Sequence, residues 1–276
     1  MQTTSSADLS YLRQLVLGFS QNVLDPAHDY LFESRLSRLL RGHGMASLHQ
    51  LVRHLRTRTD PALERAVAEA MITRETSFFR DGRPFDLLRT ELLPRLIERR
   101  LQTRTLRFWS AACSTGQEAY SLAILVREHL RTLNHWDIRI EGTDLCAGAV
   151  ERARAGRYHR IEISRGLPAG YAPRYFDPLG DDWVVKPAVR GLCTFRQANL
   201  CLPPLPFREP FDVIFLRNVM LYFSQETRKK LMANIHKLLA ADGILFLGSS
   251  EQPANPEQWS PVLAGGTCHY RPRQPS

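Results

Sequence analysis

The sequence contains no C-x-x-C pair and no H-E-x-x-H, although it holds five cysteines and nine histidines. Without those spacings neither a disulfide framework nor a zinc centre is expected, and no metal site is assigned. Cys113, Cys146, Cys193, Cys201 and Cys268 read as reduced thiols, mostly packed inside. Also missing are a run of about 18 apolar residues and a charged-then-apolar leader at the N-terminus. A soluble cytoplasmic protein that inserts into no membrane is therefore expected.

Acids are in short supply. The 37 lysines and arginines outnumber the 28 aspartates and glutamates, a net charge of +9 that implies acidic company, either a polyanion or an acidic protein surface. The shortage is sharpest from Tyr30 to Arg58, where Arg35, Arg38, Arg41, Arg53, Arg56 and Arg58 face Glu33 alone. A run of charge is ordinarily just a solvated helix face. This one is one-sided and all arginine, which favours bidentate recognition of carboxylate or phosphate, so Arg35, Arg38, Arg41, Arg53 and Arg56 are taken as a docking surface for an acidic partner.

What is present begins with length: 276 residues suffice for one large domain and a small one. The first 72 residues read as a small helical bundle. Asp25-Pro26 starts a helix that Gly42-His43-Gly44 closes, with Phe32, Leu36, Leu39 and Leu40 on one face. Ser47 and Gln50 form a capping box for a second helix carrying Leu48, Leu51, Val52 and Leu55, and Asp60-Pro61 starts a third with Leu63, Val67 and Met71. Residues 73–105 form a linker and leading helix.

The chain is organised around Leu106 to Leu125. Leu106, Phe108 and Trp109 belong to a buried strand, Ser110 to Gly116 is a turn of tiny residues, and Gln117 onward is a helix with Leu122, Ile124 and Leu125 facing a sheet. Strand, small-residue turn and helix make the first βα unit of a nucleotide-type α/β fold, whose ligands settle at the carboxyl ends of the strands. A dinucleotide site needs three glycines to cradle a pyrophosphate. Here Gly116 is the single glycine, and Glu118 stands in the first helical turn. A carboxylate there repels phosphate and suits an ammonium or sulfonium, which favours S-adenosylmethionine over NAD or ATP; the alternative is an acid that merely complements the helix dipole.

Three more strands follow. Asp137 to Glu141 leads through Gly142-Thr143 to Asp144, whose carboxylate suits two ribose hydroxyls or, equally, the N-cap of the next helix. Cys193 to Gln197 precedes Ala198-Asn199-Leu200, where an asparagine amide matches an adenine edge or simply a turn. Phe211 to Leu216 is a buried parallel strand ending in Arg217-Asn218, with Tyr222 shortly after. A helix from Gln225 to Leu239 ending at Gly243, a strand from Ile244 to Leu247 and an edge strand from Thr267 to Arg271 complete the sheet.

Thr76-Ser77-Phe78-Phe79-Arg80, the Trp109-to-Ser121 segment, Thr143-Asp144 and Arg217 to Phe223 together resemble the CheR family of S-adenosylmethionine-dependent methyltransferases, which esterify glutamates of chemotaxis receptors. The likeness spans about Tyr11 to Tyr270, in order and at matching spacings. It implies an α/β, Rossmann-like methyltransferase domain at 106–276, a small all-α N-terminal domain at 1–72 and a small β subdomain inserted at about 157–192. The resemblance assigns Arg80 and Tyr222 to orienting the reacting carboxylate. It assigns Arg74, Thr76, Arg80, Glu118, Asp144, Asn199, Leu200, Arg217 and Asn218 to the cofactor, with S-adenosylhomocysteine as product. The partner implied is the cytoplasmic helical domain of methyl-accepting chemotaxis receptors, met by a monomer, with no nucleic acid.

Two departures stand out. Arg74 replaces the family's usual asparagine, and Gln117 replaces an acid beside Glu118. The loop Asp177 to Asp182 is a few residues shorter than in members that grip a receptor's C-terminal pentapeptide tether, which implies a tether-independent enzyme. Two alternatives keep less of this: an RNA methyltransferase, allowed by the charge but lacking evident aromatic stacking platforms, and a cofactor-binding regulator whose catalysis has lapsed.

Overall fold

The structure, a computed structural model, describes residues 4–129, 135–202 and 204–273. It divides into two compact units: Met1–Thr73 with Leu221–Thr227, and Arg74–Met220 with Arg228–Ser276.

The smaller unit holds α1 (Ser6–Ser20), α2 (Tyr30–Gly42), α3 (Leu48–Thr57) and α4 (Pro61–Met71). Their inward faces, Leu12 and Val16, Phe32 and Leu36, Leu48 to Leu55, and Leu63 to Met71, close one core. Asp25-Pro26 does not begin α2. Its carboxylate accepts from the Ala27 N–H, Asp29 N–H returns to the Pro26 carbonyl, and the result is a single 3-10 turn, Pro26–His28. The longer helix starts after Asp29, whose carboxylate is held by Arg13 of α1 at 2.7 Å. At α3, Ser47 Oγ accepts from Gln50 N–H at 3.3 Å, but the Gln50 side chain reaches back to Ala46 N–H rather than to the cap residue. Residues 221–227 join this unit through an antiparallel bridge of Asn22 with Phe223.

The larger unit opens with α5 (Arg83–Leu87) and α6 (Leu93–Arg99), joined by one wide π-type turn, Leu88–Leu92. Pro94 explains the turn: its nitrogen cannot donate to the carbonyl of Thr90, and its ring crowds that carbonyl. Next come β1 (Thr105–Ala111), α7 (Gln117–His129), β2 (Asp137–Asp144) and α8 (Ala147–Ala155). A small inserted piece follows: β3 (Arg157–His159), α9 (Arg160–Ser164), α10 (Tyr171–Tyr175), β4 (Phe176–Leu179), β5 (Asp182–Val185) and α11 (Pro187–Arg190). The chain then returns as β6 (Cys193–Gln197), β7 (Phe211–Leu216), α12 (Gln225–Leu238), β8 (Leu239–Leu247), β9 (Trp259–Ala264) and β10 (Thr267–Pro272).

The main sheet has the order β6-β2-β1-β7-β8-β10-β9, parallel except where β10 runs against β8 and β9. The inserted strands make a separate antiparallel sheet, β3-β5-β4. This is the expected α/β class with a small β subdomain. Two expectations fail in detail. The segment Thr267 to Arg271 is not the edge, because β9 covers it; Pro261 and the exposed Leu263 deprive β9 of the apolar alternation that marks a strand. Gly243 does not end the helix, since α12 stops at Leu238 and Gly243 lies inside β8, folded so tightly that a Cβ would come 2.7 Å from Leu239 Cδ1.

The order also locates the crevice. From β1 the chain steps outward to β2 and β6, then crosses to β7 on the other flank, so the topological switch lies between β1 and β7.

Candidate active site

The turn after β1 is more contorted than its single glycine suggests. Ala112, Ser114 and Gly116 all have left-handed backbones, with φ of 60°, 50° and 95°. A Cβ at Gly116 would lie 2.8 Å from Ala153 Cβ and 3.1 Å from the Tyr158 hydroxyl, so glycine is required by conformation and by space. The turn is held from three sides. Ser114 N–H donates to Asp144 Oδ2 at 2.8 Å, Ser114 Oγ donates to the Arg74 carbonyl at 3.0 Å, and the Tyr158 hydroxyl donates to the Thr115 carbonyl at 2.6 Å.

Glu118 leaves the first turn of α7 and points back at the strand ends. Its Oε1 accepts from Ser110 Oγ at 2.8 Å and its Oε2 from Arg217 Nη1 at 3.1 Å. Burial pushes its pKa up, against the Arg217 charge and these hydrogen bonds, with Arg80 adding to the pull. Arg217 itself is buried at the end of β7 against the rings of Phe85 and Phe215, and its Nη2 donates to Asp81 Oδ2 at 2.5 Å and to the Arg80 carbonyl at 3.1 Å. Its Nε is buried and unpartnered in the protein.

Asp144 ends β2. Besides Ser114 N–H its carboxylate accepts from Cys146 N–H at 2.9 Å, so it shapes the entry to α8 and still has acceptor capacity left. Burial raises its pKa, opposed by the two N–H groups and by the charge of Arg74. Asn199 and Leu200 follow β6; Asn199 Oδ1 accepts from Cys201 N–H at 2.9 Å and Leu200 is buried.

Arg74, Arg80, Glu118, Asp144, Arg217 and Asn218 thus lie on segments that meet at the carboxyl ends of β1, β2 and β7, with Asn199 and Leu200 after the outermost parallel strand. Thr76 and Arg74 also line a cleft of about 440 Å³ with Thr115, Gln117, Arg152 and Arg165. Arg80 Nη1 donates to the Glu75 carbonyl at 2.9 Å, which folds the linker on itself; Phe79, Asp81 and Gly82 there all have positive φ. Tyr222 belongs to the segment grouped with the helical unit, where its carbonyl accepts from Val23 N–H.

In the helical unit, Arg35 is half-buried and donates to the Met71 carbonyl at 2.6 Å, tying α2 to the end of α4. Arg56 lies over the Tyr11 ring at 5.0 Å. Arg38, Arg41 and Arg53 are exposed. Among the described residues no three of His, Cys, Asp and Glu gather as metal ligands.

The donor and acceptor set fits the cofactor expected from the sequence. Two carboxylates, the half-buried Glu118 and the buried Asp144, suit an ammonium and a ribose diol, and the Arg217 Nε–H, with no protein acceptor, is left over. The sequence motifs do not assign Ser110, Asp81, Tyr158 or Glu251 as partners in this neighbourhood; Ser110 and Asp81 adjoin those motifs, whereas Tyr158, and Glu251 whose carboxylate accepts from Asn218 N–H, come from distant segments.

A family model described as "CheR methyltransferase, SAM binding domain" matches residues 74–266. The chain is similar to chemotaxis protein methyltransferase 1 of Pseudomonas aeruginosa, 38% identical over 274 residues that cover 98% of this chain and 99% of that protein. It is also similar to chemotaxis protein methyltransferase Cher2 of Pseudomonas putida, 37% identical with 90% and 91% covered. A chemotaxis protein methyltransferase of Borreliella burgdorferi is 32% identical, with 88% and 87% covered.

Proposed function

The chain belongs to the CheR methyltransferase family, and on that premise we propose that it transfers the methyl group of S-adenosylmethionine to glutamate side chains of methyl-accepting chemotaxis receptors. The products are glutamate methyl esters and S-adenosylhomocysteine. The observation that carries this reading is the linked set Ser110–Glu118–Arg217–Asp81 at the switch point, an acid placed where a phosphate binder would put bare N–H groups.

The cofactor brings a methyl group already activated on a sulfonium. A glutamate with a pKa near 4.3 is ionised at neutral pH, so attack needs no general base. The protein's work is alignment and exclusion of water, which can supply up to about 7–11 kcal/mol. Glu118 would hold the ammonium, Asp144 the ribose, Asn199 and Leu200 the adenine, with Arg74, Thr76, Arg217 and Asn218 completing the cradle. Arg80 and Tyr222 would orient the incoming carboxylate. Arg80 is assigned positioning, because a tight ion pair would blunt the nucleophile.

The exposed Arg38, Arg41 and Arg53 suit the acidic helical signalling domain of a receptor, approached by a cytoplasmic monomer without nucleic acid or membrane insertion. Docking is direct. An added tether strand would need a free edge of the β3-β5-β4 sheet, but β3 has three residues, and β4 carries Pro178, which has no N–H. The β4–β5 loop is reduced to Gly180-Asp181.

The test is transfer of labelled methyl to receptor, released as methanol by base. Label that stays on the receptor in base, or enters only RNA, overturns the proposal. Tyr222→Phe is expected to keep adenosylhomocysteine binding and lose turnover, and Arg80→Ala to lose turnover with weakened adenosylhomocysteine binding; full turnover in both removes their catalytic role. Tight calorimetric binding of a receptor C-terminal pentapeptide defeats the tether-independent assignment.

A further inference from the structure

We propose that Glu251 is a positioning residue for methyl transfer: its carboxylate fixes the loop after β7, so that Arg217 stays against Glu118 and Asp81. The inference deepens the function proposed above and rests on it.

Glu251 lies four residues beyond β8 and is 6% exposed. Its Oε2 accepts from Asn218 N–H at 2.6 Å and Gly248 N–H at 2.8 Å; its Oε1 accepts from Val219 N–H at 3.0 Å and Met220 N–H at 2.8 Å. Four donors on two oxygens fill the capacity of a carboxylate. Three of them are consecutive residues directly after Arg217, and the fourth is the first residue past β8. One side chain therefore ties together the ends of two neighbouring parallel strands.

The backbone it holds is unusual: Asn218 has φ of 58°, in the left-handed region that asparagine tolerates better than most residues with a side chain. Gly248 packs so closely that a Cβ would lie 2.5 Å from Glu251 Oε2 and 3.0 Å from the Asn218 nitrogen. The glycine is thus there for the carboxylate.

The function of the clamp follows from what precedes it. Arg217 divides its Nη groups among Glu118, Asp81 and the Arg80 carbonyl, which lie on two other segments of the chain. A guanidinium that divides its donors among three acceptors on other segments keeps all of them only while its own backbone stays in place. The groups facing Glu118 are Arg217 from the loop after β7, Arg80 from the linker, Ser110 from β1 and Cys113 from the turn. Loosening Arg217 leaves Glu118 buried beside fewer positive charges, so it protonates at higher pH.

Two variants of the full chain test this. Glu251→Gln puts an NH₂ group against backbone donors, and Gly248→Ala leaves the carboxylate but pushes it off its partners. In each folded variant adenosylhomocysteine affinity is expected to fall about tenfold, the equivalent of one charge-assisted hydrogen bond. The acid limb of binding should move to higher pH, KM for S-adenosylmethionine should rise in step, and KM for receptor should not change. A folded variant with reduced melting temperature but wild-type affinity and pH profile overturns the proposal, as does loss of the folded state in both variants, which would make Glu251 a structural post. Failure of the function itself reads differently: the wild-type chain would then bind adenosylhomocysteine with the stated pH dependence yet methylate no receptor.

Discussion

Glu118 has to stay ionised in surroundings that resist ionisation. Burial lifts its pKa above the ordinary carboxylate range, and Arg217 with the Ser110 hydroxyl limits the rise. Cofactor recognition through its charge should therefore fail early on acidification, at a pH above that of an exposed glutamate. Calorimetry of adenosylhomocysteine at decreasing pH should show affinity lost before an exposed glutamate would protonate, and Glu118→Gln should weaken binding at pH 8 and flatten the profile. An unchanged profile in the variant removes Glu118 from recognition. Gly116→Ala is expected to cost about 3 kcal/mol, from a left-handed alanine plus an overpacked contact with Ala153, visible as a lowered urea midpoint. At this scale the sequence was legible where chemistry is local: Asp144 ends a strand and Glu118 opens the helix after one, each next to residues that announce a turn. Glu251 was not, because its meaning comes from N–H groups of residues some thirty positions earlier, which no short motif displays.

Strands and helices were readable where one face is apolar or where both are. β7 is buried at every position, and α3 buries Leu48, Leu51, Val52 and Leu55. The start of α2 was misread because a side-chain turn at Asp25 imitates a cap, and β9 was missed because a proline and an exposed leucine break its alternation. β10, sandwiched between β8 and β9, carries His269, which is 1% exposed with both ring nitrogens unpartnered in the protein. Burial, aided by the Arg271 charge, lowers its pKa from 6.5 to about 4. Its folded pKa lies below its unfolded one, so the unfolded chain binds the proton first. The contribution of neutral His269 is fully present above about pH 6.5 and is lost as pH falls towards 4, by at most about 3 kcal/mol. Urea unfolding at pH 7.5 and pH 5 checks this: His269→Leu should lose less stability on acidification than the wild type, and an equal loss in the two proteins contradicts it. Taking the difference between proteins cancels the opposing effect of buried acids such as Asp212, whose pKa burial raises.

For the molecule as a whole, the excess of 9 positive charges should act over distances near the Debye length, about 8 Å at physiological ionic strength. KM for receptor is expected to climb with added salt while kcat holds, and Arg38→Glu with Arg53→Glu should reduce the slope; a salt-independent KM would discount the basic surface. No helix among the described residues is long and apolar enough to cross a membrane. The path of the chain has its own consequence. Because Leu221–Thr227 is built into the helical unit, that unit is not a bead at the front of a string, and excision after Thr73 would cut through a folded body. A fragment that began at Arg74 would carry Leu221–Thr227 without the helices that segment is built into.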